Sequence, residues 1–213
     1  MTLDLATSTF IFFLIHFLEL LYFIGPVFFF KLKKWDVKYE IIKRIYPIQT
    51  TNKQKLIEIT KGTLYGVGFV IIGALIASSI RNLIIWLISE SFYRTASEST
   101  VNTSPPSISI FELVVIIILN YVLIAFCEEF FYRGVIYEHL KQKNQKTAIL
   151  VSSLLFAFYH VPPGIVPLIT TLVFLPYYFI FGVLLCIIVQ SDKGKLLTAI
   201  IAHGTMNSIL YLI

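Results

Sequence analysis

The sequence has little charge for its length. Of its 213 residues, 14% are charged and 57% are apolar, whereas soluble domains average about 25% and about 45–50%. A soluble domain of this size needs many more charged side chains to cover its surface. The composition therefore excludes an ordinary water-soluble globule, a disordered chain and a coiled coil, and it indicates a protein embedded in a membrane.

Cysteine is scarce as well. The two cysteines, Cys127 and Cys186, lie within apolar runs and form no CxxC pair, so the sequence predicts neither a disulfide framework nor a thiolate metal site. It also contains no HExxH motif, no glycine-rich phosphate loop and no nucleophilic Ser or Cys motif. The familiar zinc-protease, nucleotide-binding and nucleophilic patterns are therefore all missing.

The net charge of +5 is concentrated in one stretch. Between Lys31 and Lys61, nine basic residues stand against three acidic ones, so the rest of the chain has a net charge of −1. A single basic connection between apolar segments is typical of the positive-inside rule. The sequence has no basic face interleaved with aromatic residues, and this disfavours nucleic-acid binding.

Apolar runs long enough to cross a membrane recur along the chain. A bilayer core about 30 Å thick needs about 20 helical residues, and six segments approach this length. The sequence therefore predicts an all-α, polytopic membrane protein with about six transmembrane helices. The predicted spans are 10–30, 62–88, 110–126 with a helical extension to about 140, 147–161, 167–190 and 196–213.

The basic residues orient these spans. The connections 31–61, 141–146 and 191–195 contain 14 of the 17 Lys and Arg residues and fall on one side if six spans alternate. The positive-inside rule makes that side the cytoplasm. Residues 37–46 predict a short amphipathic helix on the membrane surface, and residues 95–109 predict an outer loop.

A few ionisable and polar residues lie inside the late spans, where a charge costs about 2.5–3.5 kcal/mol on insertion scales and needs a partner or a function. Glu129 and Arg133 are four residues apart, so they share a helix face and can form an ion pair. Glu128 is turned about 100° away and is left free to face a cavity. His203 and Asn207 are also four apart and can point to one place.

These residues lie at similar depths. His160 is about 20 Å from the start of its helix, and Glu128 is about 18 Å from the end of its own, both measured from the basic connections. His203 and Asn207 lie roughly 12–18 Å beyond Lys195. We expect them to meet at a cavity reached from the cytoplasmic side. There a carboxylate and an imidazole can activate water, while a second imidazole and an amide stabilise an oxyanion.

Other polar residues in the spans are predicted to be structural. Asn120 and Glu112 are expected to make contacts between helices. His16 and Glu19 share a face of the first span and are predicted to have polar partners. Arg81 is expected to extend its charge to the membrane surface.

Three motifs resemble those of the CPBP intramembrane proteases, a family of CAAX proteases and bacteriocin-processing proteins that includes type II CAAX prenyl endopeptidases and Abi proteins. EExxxR matches residues 128–133, FxxxH matches 156–160 and HxxxN matches 203–207. The resemblance covers about residues 110–213, which it marks as a protease core. The preceding residues, 1–109, carry no family motif and are predicted to be N-terminal transmembrane helices.

The resemblance implies an intramembrane endopeptidase that acts on membrane-associated substrates, such as CAAX-type tails or leader peptides. It implies a water activated by Glu and His, with a second His and an Asn as the oxyanion site. The implied catalytic residues are Glu128, His160, His203 and Asn207, and the implied supporting residues are Glu129, Arg133 and Phe156.

Several alternatives stay open at this point. Glu128, His160 and His203 are also a ligand set that zinc accepts, although the absence of HExxH favours a mechanism without a metal cofactor. A non-proteolytic Abi-type immunity or binding protein is a second interpretation of the same motifs, and a small transporter or proton relay is a third. The expected partners are a peptide or membrane-protein substrate and the lipid bilayer, with no nucleic acid.

Overall fold

A computed structural model describes residues 17–46, 51–99 and 109–212 of the chain. Within these ranges every extended regular element is a helix, so the predicted all-α fold is confirmed. The helices are α1 (Leu21–Leu32), α2 (Val37–Ile45), α3 (Asn52–Leu87), α4 (Glu90–Glu98), α5 (Ile110–Lys141), α6 (Gln145–His160), α7 (Leu168–Ser191) and α8 (Leu197–Leu210).

Three of the described helices, α3, α5 and α7, are long and apolar enough to cross a membrane, and α1 and α8 are shorter apolar helices. In the most apolar part of the three long helices, only 17%, 28% and 39% of the residues are buried. Large apolar side chains such as Trp86 and Ile110 consequently point outwards. A soluble monomer does not expose a continuous apolar surface of this extent, so the chain is an integral membrane protein.

The helices follow the predicted spans closely, with a difference at α3. This helix begins ten residues before the predicted start at Gly62, because Thr51 and Gln54 form a capping box at its N-terminus. Helix α5 continues past both glutamates to Lys141, as predicted. The first predicted span is described only from residue 17, so His16 lies outside the described residues.

The prediction of a loop from residue 95 onwards was wrong for its first four residues, which belong to α4. The Ser89 hydroxyl caps this helix by accepting a hydrogen bond from the Phe92 amide. Ala96 is completely buried, and its carbonyl accepts a hydrogen bond from Thr170 of α7 at 3.0 Å. Packing against α7 therefore stabilises a Ser- and Thr-rich segment that local sequence favours as a loop. Residues 100–108 lie outside the described part.

Helix α2 is present where the amphipathic helix was predicted, with Asp36 as its N-cap. Although burial raises the pKa of the Glu40 carboxyl, hydrogen bonds from Lys43 and Arg44 outweigh this effect and lower the pKa below its usual value. Arg44 also donates from Nε to the Gly134 carbonyl at 2.8 Å. These contacts tie α2 to α5 near the basic end of the bundle.

Helix α8 packs directly against α3 through two glycines. A Cβ atom on Gly62 or Gly66 would lie 2.7 or 2.6 Å from a backbone carbonyl oxygen of α8. This GxxxG spacing lets two helix backbones touch, as is common in membranes. Gly204 of α8 makes similar room for the ring of Tyr121 on α5, where a Cβ would lie 2.5 Å from a ring carbon. Helix α8 is thus held between α3 and α5.

Candidate active site

The two glutamates lie in a distorted part of α5. Two π-helical segments, Asn120–Ala125 and Phe130–Tyr137, flank the four α-helical residues Phe126–Glu129. Such wide turns are frequent at functional sites. The Tyr121 hydroxyl lies 2.8 Å from the Thr205 hydroxyl of α8, and this hydrogen bond fixes the first π segment against that helix.

Glu129 and Arg133 form the predicted ion pair. Arg133 Nη1 lies 2.9 Å from Glu129 Oε1, and both side chains are completely buried. Arg133 Nη2 also donates to the Gly182 carbonyl at 3.1 Å. Its guanidinium carbon lies 4.4 Å from the centre of the Phe156 ring, within cation–π range. The Arg133 charge therefore has a carboxylate, a carbonyl and an aromatic face as partners.

Glu129 also holds His203. His203 Nδ1 lies 2.9 Å from Glu129 Oε1, the oxygen that also accepts from Arg133. Because the Glu129 carboxylate accepts hydrogen bonds, Nδ1 is the nitrogen that carries the proton. The other ring nitrogen, Nε2, is then left facing Glu128.

His160 is oriented in a similar way by its own helix. Its Nδ1 lies 2.9 Å from the Phe156 carbonyl oxygen, which can only accept, so Nδ1 carries the proton and Nε2 has a lone pair. The Tyr178 ring stacks on the imidazole with 4.5 Å between ring centres. The His160 side chain is the more exposed of the two imidazoles, at 22% against 2% for His203.

Glu128 faces both imidazoles across a narrow gap. Its Oε2 lies 3.9 Å from His160 Nε2 and 4.0 Å from His203 Nε2. The Glu128 side chain is buried, and Oε2 has no hydrogen-bond partner among the described residues. Three helices, α5, α6 and α8, therefore bring a carboxylate oxygen and two imidazole nitrogens to one point.

A cavity of about 280 Å³ adjoins this point. Glu128 is not part of its wall, contrary to the expectation that this carboxylate faces the cavity directly. Glu128 instead lies behind the imidazoles, which do line the cavity. The wall also includes Asn207, so α8 presents both of its predicted site residues to the same space. The polar and aromatic side chains of the cavity wall are Asn120, Phe156, His160, Tyr177, Tyr178, Phe181, His203, Asn207 and Tyr211.

The cavity extends away from the basic connections, which differs from the predicted access. On α5 its wall includes Ile124, which precedes Glu128, and on α8 it includes Leu210, which follows His203. Each of these residues lies in the half of its helix farther from a basic connection. On the other side of Glu128 the bundle is closed. Arg133, Tyr137 and Leu196 have no exposed surface there.

Two further polar residues of the spans lie near the site, and the structure bears differently on the prediction made for each. Asn120, expected to make a contact between helices, is completely buried, and neither polar atom of its side chain has a partner among the described residues. Glu19 does have a polar partner, because the Tyr159 hydroxyl donates to its Oε1. Tyr159 immediately precedes His160, so this bond links the start of the described chain to the site. No sequence motif indicates the burial of Asn120 or the hydrogen bond between Tyr159 and Glu19.

The comparison with known families concerns the part of the chain that holds this site. Residues 110–209 match the family model described as type II CAAX prenyl endopeptidase Rce1-like. This part of the chain is similar to the Rce1-like family. The matched residues run from the start of α5 into α8 and include every residue placed around Glu128. The family resemblance inferred from the three motifs is confirmed, whereas no curated protein and no solved structure matches the chain.

The spacing of the site is wider than a bound tetrahedral zinc ion requires. Zinc at about 2.0–2.2 Å from a carboxylate oxygen and an imidazole nitrogen would place these two atoms about 3.4 Å apart. The corresponding distances from Glu128 Oε2 are 3.9 and 4.0 Å. Within residues 17–46, 51–99 and 109–212, no group of three His, Cys, Asp or Glu residues is placed to hold a metal ion.

Proposed function

We propose that the chain is an intramembrane endopeptidase that hydrolyses a peptide bond of a membrane-associated substrate, with a water molecule activated by Glu128 and His160. The observation that carries this proposal is the approach of Glu128 Oε2 to within 3.9 and 4.0 Å of two imidazole nitrogens beside a cavity. The Rce1-like family, whose description is that of a CAAX prenyl endopeptidase, supports peptide-bond hydrolysis.

One water molecule can bridge Glu128 and His160. With two hydrogen bonds of about 2.8 Å, acceptors that are 3.9 Å apart subtend an angle of about 90° at the water oxygen. The water then donates both protons to the protein and keeps a lone pair for the carbonyl carbon of a bound peptide. Glu128 takes the proton as the C–O bond forms and later returns a proton to the leaving amine.

His203 and Asn207 supply the groups for the oxyanion. Asn207 has amide N–H donors on the cavity wall. His203 Nε2 can donate when the imidazole is protonated at both nitrogens, and the Glu129 carboxylate accepts from Nδ1 and orients the ring. Glu129 and Arg133 therefore act as positioning residues, because they hold the imidazole without touching the peptide.

Peptide cleavage should be independent of added metal. We expect proteoliposomes that contain the wild-type chain to form the same new peptide termini with and without 1,10-phenanthroline, because Glu128 and His160 activate the water directly. Mass spectrometry of the termini measures this. Activity that is lost with the chelator and restored by zinc would contradict the metal-free mechanism and would make Glu128, His160 and His203 the zinc ligands. The absence of any chain-dependent cleavage would favour an Abi-type immunity or binding protein.

We also propose that the basic connections face the cytoplasm and that the cavity end faces the opposite side. A Leu210→Cys variant, exposed at the cavity end, should then react with a membrane-impermeant maleimide in intact cells. A Lys143→Cys variant, on the basic connection between α5 and α6, should react only after permeabilisation. The wild-type chain, whose Cys127 and Cys186 are both buried, shows the background level of labelling. The reverse pattern of labelling would contradict this orientation.

A further inference from the structure

Asn120 is a buried amide in the wall of the cavity with every hydrogen-bonding group unused. Its exposed fraction is 0%, and both Oδ1 and Nδ2 lack a partner among the described residues. Leaving a buried polar group without a partner costs about 1–3 kcal/mol. Native proteins rarely retain such a group unless water or a ligand satisfies it. The unused amide is therefore evidence for something that enters the cavity.

The packing next to Asn120 fixes its position in the cavity wall. Asn120 begins the first π segment of α5, and the next residue, Tyr121, is held to α8 by its hydrogen bond to Thr205. The Tyr121 ring fills the space beside Gly204. This close contact fixes the α5 backbone against α8. Asn120 consequently shares one wall with His203 and Asn207.

We propose that Asn120 binds a backbone peptide group of the substrate, a role that rests on the proposed endopeptidase function. An Asn side chain offers N–H donors beside a carbonyl acceptor, which is the complement of the C=O and N–H groups along an extended peptide. A peptide inside the membrane must have these backbone groups satisfied by the protein, since lipid cannot do so. Asn207 is the other amide of the cavity wall, and it is already assigned to the oxyanion.

The position of Asn120 predicts which peptide group it binds. Asn120 precedes Glu128 by eight residues, which is about 10–12 Å along the helix. An extended peptide rises about 3.3 Å per residue. The contact should therefore lie three to four residues from the bond that is cleaved. It affects how the substrate is held and leaves the bond-breaking groups unchanged.

The test uses Asn120→Leu, which has a similar volume but no polar atom. In proteoliposomes with a synthetic peptide copied from a mapped cleavage site, we expect KM to rise about 5- to 100-fold while kcat stays near the wild-type value. The thermal stability of the variant should equal or exceed that of the wild type, because an unsatisfied buried amide has been removed. If the role of Asn120 were only structural, replacing it with Leu would instead lower the thermal stability.

A modified peptide identifies the group that is bound. Replacing the amide three or four residues from the cleaved bond with an ester removes one N–H donor. This replacement should raise KM for the wild type and have little effect on Asn120→Leu. The control is Val122→Leu, an apolar change in the same π segment at a side chain that is 66% exposed on the outer surface and does not line the cavity, which should leave both kinetic constants near the wild-type values.

The outcomes separate this inference from the proposed function. If the wild type cleaves the peptide and Asn120→Leu has an unchanged KM, the role of Asn120 is overturned while the endopeptidase function stands. An equal effect of the ester on the wild type and on Asn120→Leu also overturns it. If the wild type forms no new termini in membranes, it is the proposed function that fails.

Discussion

Replacing Glu128 with Gln is expected to lower the rate of peptide cleavage by about 10²- to 10⁴-fold, the usual contribution of a general base. Glutamine has nearly the same size but cannot take the proton from water. Glu128 Oε2 has no hydrogen bond to lose among the described residues, so insertion and stability should persist. Cleavage of a mapped peptide in proteoliposomes, normalised to the amount of folded protein, measures the effect.

A carboxylate elsewhere on the same helix provides the control. Glu138 pairs with Lys141 at 2.6 Å, and its side chain is 26% exposed. Such surface pairs contribute little to stability, and Glu138 is far from the gap between the imidazoles, so Glu138→Gln should cleave at the wild-type rate. Wild-type turnover by Glu128→Gln would exclude Glu128 as the base.

Replacing Arg133 with Met is expected to destabilise the fold by about 3–5 kcal/mol, the usual cost of breaking a buried ion pair. The change leaves the Glu129 carboxylate buried without its cation. It also removes the hydrogen bond to the Gly182 carbonyl and the contact with the Phe156 ring. Thermal unfolding in detergent or the yield of folded protein measures the loss.

A second substitution shows that the uncompensated charge is the cause. The double variant Glu129→Gln/Arg133→Met has no buried charge at this place, so it should regain part of the lost stability. Its cleavage activity should stay low, because His203 has lost the carboxylate that orients it. Arg94→Met is the matched control, since Arg94 pairs with Glu98 on the surface with 77% of its side chain exposed. An Arg133→Met variant as stable as the wild type would show that the ion pair contributes nothing.

Local spacing made much of the site predictable. The four-residue separations between Glu129 and Arg133, and between His203 and Asn207, hold because each pair lies on one continuous helix. The position of α5 was predictable because its apolar stretch continues through the glutamates. The contact between α3 and α8 also had a sequence signal, the GxxxG spacing of Gly62 and Gly66, that the prediction of spans did not use.

Contacts between distant parts of the chain were not predictable in this way. Helix α4 forms because Ala96 packs against α7. The Tyr159 hydroxyl donates a hydrogen bond to Glu19, which lies 140 residues earlier in the sequence. The two π segments of α5 alter which residues face inwards, and no apolar period reveals them. Asn120 was therefore assigned to an interhelical contact, whereas the structure places it in the cavity wall.

By itself, the sequence determined that the chain lies in the membrane, where its helices run, and that costly polar residues gather in the late spans. These properties depend on composition and on spacing within one helix. Only the tertiary structure decided that Glu128 lies behind the imidazoles, that Glu129 is shared by Arg133 and His203, and that the cavity extends away from the basic connections. Those features depend on how each helix is rotated against its neighbours, which packing between residues far apart in the chain sets.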